Sequence, residues 1–394
     1  MLAKAEQKLA AALQQRQRDG LLRSLNVPQH GVDFCSNDYL GLARSERLRD
    51  LIRHELKTSG EMPNGSTGSR LISGNSALAE TLEQELADFH GAPAGLLFST
   101  GYAANTGLYS AVARAGDCLV MDELIHASCI DGARLSKAQR LIFRHNDLDD
   151  LARQLERAQT LTDANGQVWV GVESVYSMDG DCAPLAAMVD ITAAMGAGLM
   201  VDEAHSNGIS GPHGTGLVSE LGLEKEVFAR VHTFGKGIGL HGAIVLGSET
   251  LKSYLVNFSR PFIYSTAPAQ DQLLKIRAAY RLLPELDETR NRLFERVRYF
   301  RRLAASSGYS WVDSDSWIQS VIVPGEQQVL ARAEFLQSRG YWVKAIRAPS
   351  VATGAERIRI CLHEFNSHDE IEGLLHTLEE SREANRCVAA LSPA

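Results

Sequence analysis

The chain has 394 residues, 44% hydrophobic and 22% charged, which is enough to bury a large core in an ordinary globular protein. Its net charge is −8 with scattered lysine and arginine, so neither nucleic acid nor an anionic membrane is expected as the main partner. No apolar run approaches the length of a membrane span, and the first residues turn polar before a signal-peptide core could form. The six cysteines form no C-x-x-C pair, which predicts buried free thiols and a cytoplasmic protein.

Three segments differ in their patterns. Residues 1–45 predict an N-terminal arm, with an amphipathic helix in 2–25 and a short strand that begins at Val32. Residues 46–285 predict a large α/β domain, and residues 286–394 a smaller α+β domain. The Gly- and Ser-rich stretch 59–75 predicts a long loop, which is either functional or a flexible linker.

Apolar runs of strand length recur in the large domain, with helical stretches between most of them. The runs are 96–98, 118–121, 141–143, 168–172, 199–201, 231–234 and 243–246. Buried strands that alternate with helices predict a mostly parallel sheet covered by helices on both faces.

Polar residues follow five of these runs, at the point where each strand ends. The segments are 99–105 (STGYAAN), 122–126 (DELIH), 173–180 (ESVYSMDG), 202–205 (DEAH) and 235–236 (GK). Because ligands bind at the carboxyl ends of parallel strands, we expect a site at this edge of the sheet.

The smaller domain has fewer elements. Strands are predicted at 317–323, 341–346 and 358–362, with a helix at 329–338. A last helix begins at a capping box formed by Ser367 and Glu370.

The stretch 231–243 (VHTFGKGIGLHGA) contains one lysine, Lys236, inside a glycine-rich turn between two apolar runs. Gly237, Gly239 and Gly242 match the dinucleotide-binding pattern G-x-G-x-x-G, but that site needs a helix and a later acidic residue. Here the next residues predict a strand, and no acid follows at the required distance. A nicotinamide-dependent dehydrogenase is therefore a remote alternative.

The sequence does not contain the residues that a P-loop, a zinc site or a serine hydrolase would need. A P-loop needs Ser or Thr after the lysine, whereas Gly237 follows Lys236. Asp202 and His205 supply at most two zinc ligands with no further cluster, so no metal site is predicted. A serine hydrolase would carry G-x-S-x-G, which is absent from the sequence.

A pyridoxal phosphate site asks for residues that the chain does contain. It needs a lysine for the aldehyde, an acid for the pyridinium nitrogen and phosphate donors at a helix N-terminus. Lys236, Asp202 and the helix start in 99–105 meet these needs. His205 can reach the phenolic oxygen of the cofactor, and His126 can stack on its ring.

The chain resembles the α-oxoamine synthases, a family of fold-type I pyridoxal-phosphate-dependent enzymes. The resemblance extends over roughly residues 10–380 and rests on Asp202–x–x–His205 and on 233–237 (TFGKG). Further segments that match the family are 36–42 (SNDYLGL), 99–105, 126–128 (HAS), 177–181 (SMDGD) and 263–266 (IYST). The fold implied is a mostly parallel central sheet between helices, with a smaller C-terminal α+β domain.

The resemblance also implies site roles. The catalytic residues are expected to be Lys236, which carries the cofactor, Asp202 at the pyridinium nitrogen, His205 near the phenolic oxygen and His126 on the ring face. Ser177 is expected beside the same phenolic oxygen. The phosphate is expected to bind to Gly101, Tyr102, Thr233 and, from the neighbouring subunit, Thr266.

The substrates follow from the same resemblance. Family members join an amino acid, here expected to be L-alanine, to an acyl thioester carried by coenzyme A or by an acyl carrier protein. The substrate-binding residues are expected to be Arg23, Asn37, His126, Ser350 and Arg359. Since Thr266 serves the neighbouring subunit, a homodimer with shared active sites is expected.

Overall fold

In this computed structural model, the described part of the chain comprises residues 2–23, 25 and 31–391, without the side chains of Leu2 and of 383–391. The chain divides into two compact units. The larger unit consists of Asn37–Ser177 and Asp181–Leu293, and the smaller of Met1–Ser36, Met178–Gly180 and Phe294–Ala394. The three-domain division at residues 45 and 285 stays a prediction.

Strands and helices alternate through the larger unit, as the apolar runs predict. The strands of the described chain are β1 Val32–Asp33, β2 Ala94–Phe98, β3 Cys118–Asp122, β4 Gln139–Phe143, β5 Val168–Glu173, β6 Gly198–Asp202, β7 Ala229–Thr233, β8 Ala243–Gly247, β9 Ile318–Ile322, β10 Tyr341–Trp342, β11 Lys344–Ile346 and β12 Arg357–Cys361.

The α-helices are α1 Leu2–Arg18, α2 Glu46–Thr58, α3 Ala77–Phe89, α4 Gly101–Val112, α5 Ala127–Leu135, α6 Leu148–Leu161, α7 Leu185–Ala194, α8 Leu217–Glu220, α9 Glu249–Phe258, α10 Arg260–Ile263, α11 Gln270–Leu282, α12 Asp287–Ala304, α13 Glu326–Ser338 and α14 His368–Leu391. Short 3-10 turns lie at Leu42–Arg44, Pro212–Gly214 and Leu283–Glu285. The division between the two units falls inside α12.

A seven-stranded sheet with the order β2-β8-β7-β6-β5-β3-β4 forms the centre of the larger unit. Strands β4, β3, β5, β6 and β7 pair in parallel, whereas β8 is antiparallel to both of its neighbours, β2 and β7. The five strands that precede the polar segments therefore all end at the same edge. This confirms the predicted mostly parallel α/β sheet.

Both faces of the sheet are covered because side chains alternate along each buried strand. In β3, Leu119 and Met121 pack in one apolar cluster with α4, α5 and α9, whereas Val120 packs in a second cluster with α6 and α7. In β6, Met200 joins the first cluster and Val201 the second. The ends of these buried strands are thus the accessible positions for polar side chains.

The smaller unit contains a three-stranded antiparallel sheet with the order β11-β12-β9 and a separate parallel pair of β1 and β10. The predicted single strand at 341–346 was wrong. It is two strands, because β10 pairs with β1 while β11 pairs with β12, and the buried Val343 lies between them. The predicted capping box is confirmed: Glu370 N donates to Ser367 Oγ at 3.1 Å, and Ser367 N donates to Glu370 Oε2 at 2.8 Å.

The predicted loop 59–75 contains a π-helical turn, Arg70–Gly74. Of the cysteines, Cys118, Cys129 and Cys361 are buried as predicted, whereas Cys35 is only partly buried and Cys182 is exposed. Cys182 follows the hairpin turn after β5 rather than an apolar strand, so burial did not apply to it. The thiol of Cys387 lies outside the described side chains. Within residues 2–23, 25 and 31–391, no helix is long and apolar enough to cross a membrane.

Candidate active site

The lysine turn connects β7 to β8 and is closed by its own backbone. Gly239 N donates to Lys236 O at 2.8 Å, and Leu240 N donates to Phe234 O at 2.6 Å. Gly239 and Gly242 have φ values of 69° and 111°, which glycine adopts without strain. Since a strand follows these glycines and no helix does, the dinucleotide interpretation fails on the observed fold.

A cavity of about 270 Å³ opens beside this turn, at the edge where the five strands end. Every one of those strands contributes lining residues: Thr100 after β2, His126 after β3, Glu173 in β5, Asp202 in β6 and Lys236 after β7. The predicted site residues that line it are Asn37, Gly101, Tyr102, His126, Asp202, Thr233 and Lys236. A cavity therefore lies at the edge where the sequence predicts a ligand site.

Lys236 ends a chain of polar groups. Its Nζ lies 2.8 Å from His205 Nε2, and His205 Nδ1 lies 2.8 Å from the hydroxyl of the buried Tyr39. Tyr39 in turn donates to Asn37 Oδ1 at 2.9 Å. His205 thus contacts the reactive amine directly, so a proton can pass between the two side chains.

Asp202 is buried at the end of β6, and its two oxygens are oriented separately. Asn105 Nδ2 donates to Oδ2 at 2.6 Å, and Ala204 N donates to Oδ1 at 2.9 Å. Asn105 lies one helical turn after Gly101 in α4, so it faces the same cavity. The carboxylate is therefore fixed in orientation while it faces the cavity.

Glu173 lies beside Asp202, since the two residues are partners in the parallel pairing of β5 and β6. Burial, followed by the charge of Asp202, raises the pKa of Glu173 well above its usual range. The raised pKa favours the neutral form of Glu173 next to Asp202, which lowers the repulsion between the two carboxyl groups at the sheet edge.

His126 is the N-cap of α5. Its Nδ1 accepts the backbone N–H of Ser128 at 3.2 Å and the hydroxyl of the same residue at 2.7 Å. Because Nδ1 accepts, the imidazole proton is on Nε2. Burial lowers the pKa of His126, so the ring is neutral and can present its face to an aromatic ligand.

The N-terminus of α4 provides backbone donors at the cavity wall. Thr100 caps the helix and accepts from Ala103 N at 3.0 Å, while Gly101 and Tyr102 line the cavity. A Cβ on residue 101 would lie 2.3 Å from Thr233 Cγ2, so glycine is required for the helix start to approach β7. Free N–H groups and the helix dipole make such a terminus an anion site.

The remaining predicted residues lie elsewhere. Ser177 is in the turn after β5 and does not line this cavity, and Thr266 lines a second cavity of about 340 Å³ that shares His241 and Gly242 with the first. In the smaller unit, Arg23 and Ser350 line one cavity of about 590 Å³. Arg359 is in β12 of the same unit, where it is paired with Lys344 and Ser320 in the two flanking strands.

Sequence reasoning missed three groups that line the cavity, Asn105, Ser128 and Glu173, and it also missed Tyr39, which contacts His205. Two signals were available. Asn105 is four residues after Gly101, the spacing of one helix face, and Glu173 ends a buried strand next to the strand that ends in Asp202. No local pattern could reveal the contact of Tyr39 with His205, because 166 residues separate the two.

These residues fit pyridoxal phosphate. The cavity offers one group for each part of the cofactor. The amine is the partner of an aldehyde, the fixed carboxylate of a pyridinium, the neutral imidazole of an aromatic ring and the helix N-terminus of a phosphate. Two buried polar atoms without a hydrogen-bond partner, Asn105 Oδ1 and Glu173 Oε1, belong to residues of this cavity. Such atoms favour a polar ligand there. Among the described residues, no group of three His, Cys, Asp or Glu side chains could hold a metal ion.

Fold and site together define a pyridoxal-phosphate-dependent enzyme of fold type I. The family model described as aminotransferase class I and II matches residues 29–378. The 8-amino-7-oxononanoate synthase of Emericella nidulans is 42% identical over 387 residues, covering 94% of each chain. The enzyme of the same name from Methylococcus capsulatus is 42% identical over 351 residues and 89% of each chain.

Solved structures of related enzymes share this fold. Serine palmitoyltransferase of Sphingomonas wittichii superposes with a TM-score of 0.82 at 30% identity, covering 89% of this chain and 87% of that one. The 8-amino-7-oxononanoate synthase of Francisella tularensis has a TM-score of 0.77 at 26% identity, covering 90% and 99%. The chain belongs to the aminotransferase class I and II family and, within it, to the 8-amino-7-oxononanoate synthases.

Proposed function

We propose that this protein is the acyltransferase that condenses L-alanine with pimeloyl-CoA, or with pimeloyl acyl carrier protein, in biotin biosynthesis. The products are 8-amino-7-oxononanoate, carbon dioxide and the free thiol carrier. One observation carries the proposal: Lys236, Asp202, His126 and the N-terminus of α4 line a single cavity in a member of this family. Pyridoxal 5′-phosphate is the cofactor.

The cofactor supplies a cationic pyridine ring that withdraws electrons from the α-carbon of the bound amino acid. Asp202 holds the charge on the ring nitrogen, a role that its fixed orientation toward the cavity supports. Lys236 would hold the aldehyde of the cofactor, and its Nζ is the atom that would accept the α-proton of alanine. His205, which contacts Nζ at 2.8 Å, would take part in moving that proton and would also hold the phenolic oxygen.

The other cofactor contacts are assigned from the family resemblance. His126 would stack on the ring through its neutral imidazole, and Ser177, which is in the turn after β5, would hold the phenolic oxygen. The phosphate binds to Gly101 and Tyr102 at the start of α4 and to Thr233, whose methyl group lies beside Gly101.

Besides His126, four residues bind the substrates in this proposal. Arg359 would hold the carboxylate of alanine, for which a guanidinium is the best-matched partner. Asn37 lines the cavity of the larger unit and is proposed as a further substrate contact. Arg23 and Ser350 contact the acyl substrate, and their shared cavity in the smaller unit supports a common ligand.

The functional unit is a homodimer in which Thr266 completes the phosphate site of the neighbouring subunit. Thr266 pairs with Ser69 in a β-bridge, and large apolar side chains beside these two residues are exposed: Ile72 by 85%, Tyr264 by 72% and Leu71 by 52%. Exposed apolar groups in one region favour an interface, and a second copy of the chain would cover them. We also propose that the dimer is cytoplasmic and uses no metal.

The reaction is tested with alanine, glycine and serine against acetyl-, succinyl-, pimeloyl- and palmitoyl-CoA, with free thiol measured. Alanine with pimeloyl-CoA is expected to give the highest kcat/KM. If glycine with acetyl-CoA, glycine with succinyl-CoA or serine with palmitoyl-CoA gives the highest value, the chain is a sibling α-oxoamine synthase instead. The serine arm is needed because a serine palmitoyltransferase is among the similar structures.

A further inference from the structure

Asn207 lies directly behind the lysine turn and touches the chain on both sides of Lys236. It is fully buried in the loop that follows β6. Its side-chain Nδ2 donates to the carbonyl of Thr233 at 3.0 Å. The main-chain carbonyl oxygen of Asn207 lies 2.5 Å from the position that a Cβ on Gly237 would take. The backbone after Lys236 therefore packs tightly against this oxygen.

Tyr280 in α11 supports Asn207 from the far side. Its ring packs edge-on against the buried Phe234, the residue that follows Thr233, at 5.8 Å between ring centres. Its hydroxyl lies 3.3 Å from Asn207 Nδ2 and 3.1 Å from His90 Nε2. The helix is thus connected to the lysine turn through both a hydrogen bond and an aromatic contact.

The direction of every hydrogen bond in this chain of groups can be deduced. The carbonyl of Thr215 can only accept, so His90 donates to it from Nδ1, at 2.9 Å. Burial lowers the pKa of His90 to about 3, so the ring is neutral and its Nε2 accepts. Tyr280 therefore donates to His90 at 3.1 Å in preference to Asn207 Oδ1, which lies at 3.4 Å, and its oxygen accepts from Asn207 Nδ2.

Both amide hydrogens of Asn207 are consequently in use, one on the Thr233 carbonyl and one on the Tyr280 oxygen. An aspartate has almost the same shape but no hydrogen to donate, so it would repel the Thr233 carbonyl and could bind Tyr280 only by taking the hydroxyl hydrogen from His90. An unpaired acceptor in a buried site costs the full desolvation of that group. The position thus requires a donor and not only a side chain of this volume.

We propose that Asn207 is a positioning residue for Lys236, holding the turn from Thr233 to Gly237 through its amide and its main-chain carbonyl. The inference deepens the proposed function, because it assumes that Lys236 is the residue that binds the cofactor. Its consequence is mechanical. A displacement of about 1 Å in a reacting group can cost about a hundredfold in rate, so a turn with a glycine on each side of Lys236 needs such external support.

The test compares Asn207→Asp with the wild type in two forms, the cofactor-free protein and the holoenzyme. In the cofactor-free protein, hydrogen exchange of the peptide that spans 233–242 is followed by mass spectrometry. In the variant, the amides of Gly239 and Leu240, which close the turn, are expected to exchange about tenfold faster. In the holoenzyme, the dissociation constant of the cofactor is expected to rise about tenfold. The kcat is expected to fall by a larger factor than the factor by which the KM for alanine changes.

Tyr280→Phe is the second variant, and it keeps the test decisive if Asn207→Asp does not fold. It removes the acceptor of one amide hydrogen while Thr233 keeps the other, so exchange of the same peptide is expected to rise about threefold. The matched control is Tyr254→Phe, whose hydroxyl donates to the Ala111 carbonyl in the same unit and is distant from the turn in the fold. The control is expected to leave exchange of residues 233–242 unchanged.

Wild-type exchange of this peptide in Asn207→Asp, or in Tyr280→Phe if the first variant does not fold, would overturn the proposal. Faster exchange with an unchanged cofactor dissociation constant would support the positioning of the turn. That same outcome would contradict the role of Lys236 in the proposed function, so the two failures are distinguishable.

Discussion

His145 links two carboxylates of the larger unit. Its Nδ1 lies 2.9 Å from Asp122 at the end of β3, and its Nε2 lies 2.7 Å from Asp181, just beyond the hairpin turn that contains Ser177. Burial by itself lowers the pKa of His145, but the hydrogen bonds and charges of Asp122 and Asp181 raise it to about 10. The imidazolium is therefore a structural cation that holds the base of this hairpin to the sheet.

Stability should depend on this proton at alkaline pH. In the unfolded chain the ring titrates near 6.5, so the pKa is raised on folding and the folded protein retains a proton that the unfolded chain loses. The contribution of this proton to the free energy of unfolding is fully present below pH 6.5 and is lost as the pH rises through about 10. At pH 7, His145→Gln is expected to lower the free energy of unfolding by about 2 kcal/mol, measured in urea.

The wild type should lose more stability than His145→Gln between pH 7 and pH 10. The exposed His54 lies in the same unit, and His54→Gln is the control expected to follow the wild type. Equal pH dependence in the wild type and in His145→Gln would show that this proton is not linked to folding.

The π-helical turn Arg70–Gly74 is anchored by a buried ion pair. Arg70 contacts both oxygens of Glu83, at 2.8 and 3.3 Å, and the side chains are only 8% and 1% exposed. Glu83 also accepts from Leu97 N at 3.0 Å and lies 3.1 Å from Lys252 Nζ. Near the turn, Ala267 N donates to Gly68 O at 2.9 Å, which attaches the loop to the segment of Thr266.

Arg70→Met should release this loop. Removal of one partner leaves Glu83 buried with less compensation, so a loss of about 3 kcal/mol is expected together with faster proteolysis within residues 59–75. Arg53→Met is the control, because the Arg53–Asp50 pair is 69% and 72% exposed and its loss is expected to cost under about 1 kcal/mol. An unchanged cleavage rate in Arg70→Met would contradict the anchoring role.

The strands of the large sheet could be predicted because buried strands are continuous apolar runs in the sequence. The strand ends could be predicted from the polar residues that follow each run. The same reasoning located Lys236, Asp202 and His126 at one edge, where a cavity is found. The prediction of a single strand at 341–346 failed, because the strand is divided at Val343. That division depends on pairing with β1 and β12, which are distant in sequence. For the same reason the partners of His145 and Asn207 could not be predicted.

At the scale of the whole molecule, the proposed homodimer can be tested by mixing two inactive chains. One carries Lys236→Ala and the other Thr266→Glu, whose carboxylate would repel the phosphate. If Thr266 acts across the interface, each mixed dimer contains one intact site, and the mixture regains roughly a quarter of wild-type activity. No recovery after subunit exchange, with mixed dimers demonstrated by differently tagged chains, would place Thr266 and Lys236 in the same subunit's site.

The central claim is that Lys236 binds pyridoxal phosphate. Its most direct test is borohydride reduction of the holoenzyme followed by peptide mapping. The yellow colour is expected to bleach, and a single pyridoxyl group is expected on the peptide containing Lys236, with none fixed in Lys236→Ala. A pyridoxyl group on any other lysine, or its persistence in Lys236→Ala, would show that Lys236 is not the residue that binds the cofactor.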